Sequence, residues 1–216
     1  MVDVANEVSA ISRSVGTGTI PAGEGKTVTL RRTYNAPIDD VWNALTTPER
    51  IGRWFLPVSG DLRLGGTYQF EGNAGGTIVA CDRPNRLLVT WGMGPADDPA
   101  SASEVEIRLM PVDADTTTLE LVHTAIVPDE MWETFGPGAV GVGWEGGALG
   151  LALHFTGGTI GDPAAWPYTD EGRAFYSASS EGWGAANLAA GADPEVVARN
   201  IAATTQFYAP DASPDV

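Results

Sequence analysis

Alternation of apolar and polar residues indicates a β-sheet over roughly the first half of the chain. Residues 8–35 hold two β-branched stretches separated by PAGEG, which is the turn chemistry of a hairpin. In the second stretch, Leu30 and Tyr34 share one face with a charged residue, Arg32. Five further segments between residues 65 and 127 alternate in the same way. Because short turns join all of these segments, we predict a seven-stranded antiparallel sheet with one face in water.

Two short helices are predicted directly after the hairpin, where the apolar spacing changes to that of a helix. The first follows Pro37, in the segment IDDVWNAL. The second begins with Thr47 as N-cap and Pro48 at its first position.

Helical spacing returns after the last strand. A long helix is predicted to begin near Val142 and to end at a glycine cap at Gly157. Two more helices are predicted to begin at Thr169 and Asp193, each with the residues of a helix start. Strands and helices are thus segregated along the chain, which indicates the α+β fold class and not a parallel doubly wound sheet.

Composition narrows the classes of partner. The 216 residues carry a formal charge of −16, and Lys26 is the only lysine. A surface this acidic repels phosphate groups, so we expect no nucleic-acid partner and no binding to anionic membranes. No apolar run is long enough to span a bilayer, which predicts no membrane insertion. With one cysteine, Cys81, and no leader-like segment at residues 1–14, the expected location is cytoplasmic, and Cys81 is expected to be inert packing in an apolar strand.

One motif suggests a nucleotide site but lies in the wrong setting. GPGAVG (residues 136–141) matches the dinucleotide fingerprint G-x-G-x-x-G. That fingerprint needs a strand running directly into the glycine turn within a βαβ unit, which an antiparallel sheet does not provide. We therefore predict no cofactor here. Either these glycines form a loop before the long helix, or Gly146, Gly147 and Gly150 let the helix approach the sheet closely or leave space beneath it.

Five separated segments resemble a known family. They are APIDDVWNALTTPERIGRWF, GDLRLGGTYQF, GTIVACDRPNRLLVTWG, LELVHT and GWEGGALGLALHF, in this order within residues 27–156. They resemble the Activator of heat-shock protein 90 ATPase homologues, a family of the START-like (SRPBCC) superfamily of helix-grip folds. The resemblance implies a seven-stranded antiparallel sheet wrapped round a long C-terminal helix. We assign residues 1–158 to this domain, and residues 159–216 to a helical extension packed on the same domain or on a second subunit.

The resemblance also implies a cavity between sheet and long helix, since superfamily members bind lipids, sterols and other apolar molecules there. Apolar walls with few polar groups are typical of such pockets, although aromatic core packing gives the same pattern. The predicted ligand-binding residues are Trp54, Tyr68, Phe70, Trp91, His123, Trp144 and Leu151.

Two polar residues on apolar strand faces are candidates for catalysis. His123 could act as a general base, and Arg32 could orient a substrate carboxylate. Each has a structural alternative, a satisfied core histidine and half of an ion pair. With only two histidines, no HExxH motif and no cysteine cluster, the sequence gives no support for a metal site.

The leading hypothesis is a cytosolic START-like protein of bacterial type that binds a small apolar or amphipathic molecule. A cyclase- or hydrolase-type enzyme using the same cavity is the alternative. A chaperone-associated interaction protein is a second alternative, and a homodimer is left open.

Overall fold

The computed structural model describes residues 2–93 and 102–211 of the chain. An open antiparallel sheet of eight strands forms its centre, in the order β1-β2-β8-β7-β6-β5-β4-β3. The antiparallel sheet is confirmed, with one strand more than predicted, because three residues after the second short helix pair with the edge of the sheet. The strands are β1 (Ile11–Ile20), β2 (Gly23–Tyr34), β3 (Val58–Gly60), β4 (Thr67–Phe70), β5 (Gly75–Asp82), β6 (Arg86–Thr90), β7 (Ser103–Pro111) and β8 (Thr117–Ala125).

Seven α-helices surround the sheet within the described ranges. They are α1 (Val4–Ser9), α2 (Ile38–Thr46), α3 (Pro48–Trp54), α4 (Asp129–Phe135), α5 (Gly138–Thr156), α6 (Asp170–Ala189) and α7 (Pro194–Tyr208). No described helix has the length and apolar content that crossing a membrane requires. The last five residues of the predicted extension lie outside the described part of the chain.

Local sequence explains where several helices start and stop. Asp193 accepts hydrogen bonds from the backbone N–H groups of Glu195 and Val196, which caps α7 as predicted. Gly157 adopts the left-handed conformation, with φ of 72°, and ends α5 as predicted. Thr47 holds the N-cap position of α3, but its hydroxyl pairs with Asn43 instead of capping the backbone.

The central helix α5 begins four residues earlier than the predicted start at Val142. Glycine is a poor helix former, so the sequence pattern alone favours a loop at this point. Close packing accounts for the helix: a Cβ at Gly138 would lie 2.8 Å from Thr204, and one at Gly141 would lie 2.3 Å from the indole of Trp183. GPGAVG is therefore the end of α4 and the start of α5, and its glycines admit side chains of α6 and α7.

The helical extension packs on the same chain. Helix α6 contacts α5, β1 and α1, and α7 packs on α6 and α4. Beneath α6, a buried ion pair joins β1 to α5: the guanidinium of Arg13 on β1 donates to both carboxylate oxygens of Glu145 on α5, at 2.5 and 2.8 Å. Gly182 of α6 lies directly over that guanidinium. The packing therefore makes α6 a second layer outside α5.

Candidate ligand-binding site

A cavity of about 340 Å³ lies between the concave face of the sheet and α5. Helices α2 and α3 close one side of it. Most of its wall consists of aliphatic and aromatic side chains, and Leu119 and Leu121 of β8 form its floor together with Val105 of β7. This volume lies in the range of small-molecule pockets and greatly exceeds what a single water molecule needs.

Six of the seven residues predicted to bind a ligand line this cavity: Trp54, Tyr68, Phe70, Trp91, Trp144 and Leu151. Their rings form a continuous wall, since the ring centroids of Phe70 and Trp91 lie 5.6 Å apart and those of Trp91 and Trp144 lie 4.8 Å apart. Whether they bind a ligand stays a prediction.

Several polar groups of this wall donate hydrogen bonds to the protein itself. The hydroxyl of Tyr34 donates to the carbonyl of Ala148 at 3.1 Å, and that of Tyr68 donates to the carbonyl of Thr90 at 2.7 Å. The indole N–H of Trp54 donates to the carbonyl of Ala44 at 3.0 Å. Because these donors are already paired, the wall offers a ligand mainly carbon surface.

His123 is not part of the cavity wall, which corrects the prediction that it lines the site. It lies opposite Val28 and Val105 in the sheet and is 5% exposed. Its Nδ1 accepts a hydrogen bond from the indole N–H of Trp144 at 3.0 Å, so His123 reaches the cavity only through that wall residue. Burial lowers the pKa of His123 to about 4, and the ring is neutral at pH 7.

Arg32 also lies away from the cavity, in contrast to its suggested role in orienting a substrate. Its guanidinium forms an ion pair with Glu7 of α1 at 2.5 Å and lies over the ring of Tyr34. Both groups of the ion pair are largely buried. The structural alternative therefore describes Arg32, and the pair of Arg32 and His123 does not meet in a solvent-reachable site, as the enzyme hypothesis requires.

The opening of the cavity was missed by sequence reasoning. Of the residues that line it, only Arg63 and Cys81 are exposed. Arg63 lies in the loop between β3 and β4, which has no periodic pattern. Half-buried Leu62 and Thr46 line the cavity as well.

Cys81 faces the cavity because of an irregularity in β5. The register with β6 shifts between Ile78, which pairs with Val89, and Ala80, which pairs with Leu88. The shift adds one residue to β5, so Cys81 pairs with Leu87 and points to the same face as Ile78. The expectation that Cys81 is packed is therefore wrong, since it is exposed, and the expectation that its thiol is inert stays a prediction. Simple alternation from Ile78 would have placed the side chain of Cys81 on the opposite face of the sheet.

No group of three histidine, cysteine, aspartate or glutamate side chains is arranged to hold a metal ion within residues 2–93 and 102–211. The lining of the described cavity offers a ligand apolar surface, with one guanidinium and one thiol on exposed residues.

The fold and this cavity agree with comparisons to known proteins. The family model of Activator of Hsp90 ATPase homolog 1-like protein matches residues 35–151, which is more than half of the chain. The chain belongs to this family. The match contains the helix-grip elements from α2 to Leu151 in α5, and with them most of the cavity wall. A comparison with curated protein sequences found no match.

Solved structures extend the likeness beyond the family region. The crystal structure of CalU16 from Micromonospora echinospora is 37% identical, with a TM-score of 0.64, and the match covers 82% of this chain and 98% of CalU16. The solution structure of the same protein gives a TM-score of 0.66 at 37% identity, covering 83% of this chain and 96% of CalU16. Protein MLL2253 from Mesorhizobium loti is 23% identical over 60% of this chain and 96% of its own, with a TM-score of 0.52, which supports the fold alone.

Proposed function

We propose that this member of the Activator of Hsp90 ATPase homolog 1-like family binds a small hydrophobic or amphipathic molecule in the cavity beneath α5. The observation that carries the proposal is the cavity of about 340 Å³ with a wall of aromatic and aliphatic side chains. Close-packed interiors leave few voids larger than a water molecule. A space of this size is therefore a feature that the fold maintains at the expense of packing.

The lining supports an apolar ligand over a polar one. Leu30, Val89 and Leu119 present only carbon, and the polar ends of Tyr34 and Tyr68 are hydrogen-bonded to backbone carbonyls. A ligand with many polar groups would leave them unpaired inside, which costs roughly 1–3 kcal/mol for each group. An apolar ligand supplies the van der Waals contacts that the wall residues of an empty cavity lack, and it leaves no polar group unpaired.

A neutral fluorescent probe, N-phenyl-1-naphthylamine, tests the proposal. We expect saturable 1:1 binding, with energy transfer from the tryptophans that line the cavity. Gly147→Leu should fill the cavity from above, because Gly147 lines it and a Cβ there has room beside Phe55, at 3.7 Å. We expect the Kd for the probe to rise about tenfold or more in this variant.

Gly146→Leu is the matched control, since Gly146 does not line the cavity and a Cβ there meets only the hydroxyl of Tyr176, at 3.9 Å. It should bind the probe as the wild-type protein does. No saturable binding by the folded wild-type protein, or equal affinity in Gly147→Leu and the wild type, would contradict the proposal. Native mass spectrometry of the purified protein then identifies the mass of any retained ligand.

A further inference from the structure

We propose that the ligand carries an acidic end group that the guanidinium of Arg63 holds at the mouth of the cavity, with the apolar body inside. This assignment rests on the proposed function and adds the chemical class of the ligand. It follows from the position of the one charged hydrogen-bond donor that lines the described cavity.

The interior offers little to a charged group. The donors of Tyr34, Tyr68, Trp54 and Trp144 are each hydrogen-bonded within the protein. Thr46, another polar residue of the wall, donates its hydroxyl hydrogen to the carbonyl of Trp42 at 2.7 Å. Outside these hydrogen bonds the wall offers only neutral donors, such as the indole N–H groups of Trp42 and Trp91. A carboxylate inside would therefore lose its hydration without gaining a cationic partner, which is strongly unfavourable. We therefore expect an acidic group to lie at the mouth, beside the one guanidinium of the described lining.

Arg63 is the one cationic side chain among the residues that line the described cavity. Its side chain is 79% exposed, and its Nε donates to Asp61 at 2.6 Å. Among the described residues, its two terminal nitrogens have no hydrogen-bond partner. An exposed ion pair of this kind contributes about 0–1 kcal/mol, so a ligand carboxylate can compete for the guanidinium or use its free edge.

The backbone holds Arg63 in a defined place beside the opening. The loop from Asp61 to Gly66 is joined to β5 by two hydrogen bonds, from Gly65 N–H to the carbonyl of Ile78 at 2.8 Å and from Ile78 N–H to the carbonyl of Gly66 at 2.9 Å. Cys81, the other exposed residue of the wall, lies three residues further along β5. The loop and the end of β5 thus form one lip of the mouth.

The strongly negative net charge does not exclude an anionic ligand. At physiological ionic strength, charges more than about 8 Å away are largely screened, so the groups at the mouth dominate. Asp61 is already paired with Arg63, and Asp82 follows Cys81 on the strand and points to the opposite face. The local balance of charge at the mouth therefore permits an acidic ligand group.

The test compares two probes with the same ten-carbon chain, decanoic acid and decan-1-ol, by isothermal titration calorimetry at pH 8. We expect Arg63→Gln to weaken the binding of decanoate about three- to tenfold and to leave decan-1-ol unchanged within about twofold. Asp61→Asn should strengthen decanoate binding, because it frees the guanidinium. Arg199→Gln, an exposed change on α7 that alters net charge equally, should change neither probe.

The possible failures are distinguishable. If decanoate binds Arg63→Gln and the wild type equally, or if both probes weaken together, the role of Arg63 is wrong while the cavity still binds apolar chains. If neither probe binds the folded wild-type protein, both the role of Arg63 and the proposed function are overturned. Circular dichroism confirms that each variant is folded.

Discussion

On one side of α5, aromatic side chains surround a cavity of about 340 Å³; on the other side, glycines bring the same helix into direct contact with α6 and α7. Gly141 faces the indole of Trp183 so closely that a Cβ would lie 2.3 Å from it. Gly147, less than two turns further along, lines the cavity and has room for a side chain. One helix therefore uses the same residue type for opposite purposes.

The two sides of α5 also differ in their buried polar pairs, one of which is charged and the other neutral. On the packed side, Arg13 and Glu145 form a charged pair with the carboxylate fully buried. On the cavity side, Trp144 and His123 form a neutral pair. Burial raises the pKa of Glu145, and the hydrogen bonds and charge of Arg13 oppose that shift. Ser179 and Trp183 lie near this carboxylate but outside hydrogen-bond geometry in the described structure.

Breaking the charged pair should have the largest effect on stability. Arg13→Met leaves the carboxylate of Glu145 buried without its partner, and we expect a loss of about 3–5 kcal/mol in the free energy of unfolding. Urea denaturation measures it. The double variant Arg13→Met/Glu145→Leu should recover a large part of the loss, because no unpaired charge remains. A loss below about 1 kcal/mol in the single variant would contradict the account of a buried carboxylate that depends on Arg13.

The neutral pair should give a pH dependence of its own. The pKa of His123 is lowered by burial from 6.5 to about 4, so between these values the unfolded chain binds a proton that the folded protein does not. Stability should therefore decrease as pH falls from about 6.5 to 4, by about 3 kcal/mol in total.

His123→Leu isolates that contribution, because every other group titrates alike in both proteins. The difference in unfolding free energy between wild type and variant should shrink by this amount as pH falls from about 6.5 to 4. A difference that stays constant across the window would mean that His123 is not buried as a neutral ring.

The two glycines give a matched pair of substitutions with opposite signs. Gly141→Ala should reduce the unfolding free energy by about 1–3 kcal/mol, because the new methyl group overlaps the ring of Trp183. Gly147→Ala should increase it by up to about 1 kcal/mol through helix propensity. Thermal unfolding of both variants measures the contrast. Equal effects would contradict the difference between the two sides of α5.

The smallest effect is expected for a charged pair outside both regions. Arg31 pairs with Glu120 on the outer face of the sheet; the arginine side chain is 59% exposed, and the 7% exposed carboxylate keeps a second partner, Arg108, at 3.0 Å. Arg31→Gln should reduce the unfolding free energy by less than about 1 kcal/mol, and the loss should shrink further in 1 M salt. An effect as large as that of Arg13→Met would mean that the exposure of Arg31 and the second partner of Glu120 do not reduce the loss.

Much of the fold could be predicted because local patterns specify it. The alternation in β2 and β8, the capping residues of α7 and the terminal glycine of α5 each carry their own signal. The three residues of β3 were missed because so short a strand has no pattern. The start of α5 was misplaced because tertiary packing of Gly138 and Gly141 overrides helix propensity.

The candidate site was predictable on its walls and not at its mouth. Trp91 and Trp144 follow from strand and helix periodicity, which places them on the inward face. Arg63 lies in an irregular loop, and Cys81 is turned inward by a shift of register. His123 was placed on the correct face, but the sequence could not show that Trp144 separates it from the cavity.

The central claim is that an apolar ligand enters the cavity side of α5 and leaves the packed side undisturbed. It is tested by following the indole N–H signals of the seven tryptophans by NMR during titration with N-phenyl-1-naphthylamine. We expect saturable shifts with one Kd for the four that line the cavity, Trp42, Trp54, Trp91 and Trp144, and little change for Trp132, Trp166 and Trp183. The absence of saturable shifts in those four signals, or equal shifts at Trp183, would contradict the claim.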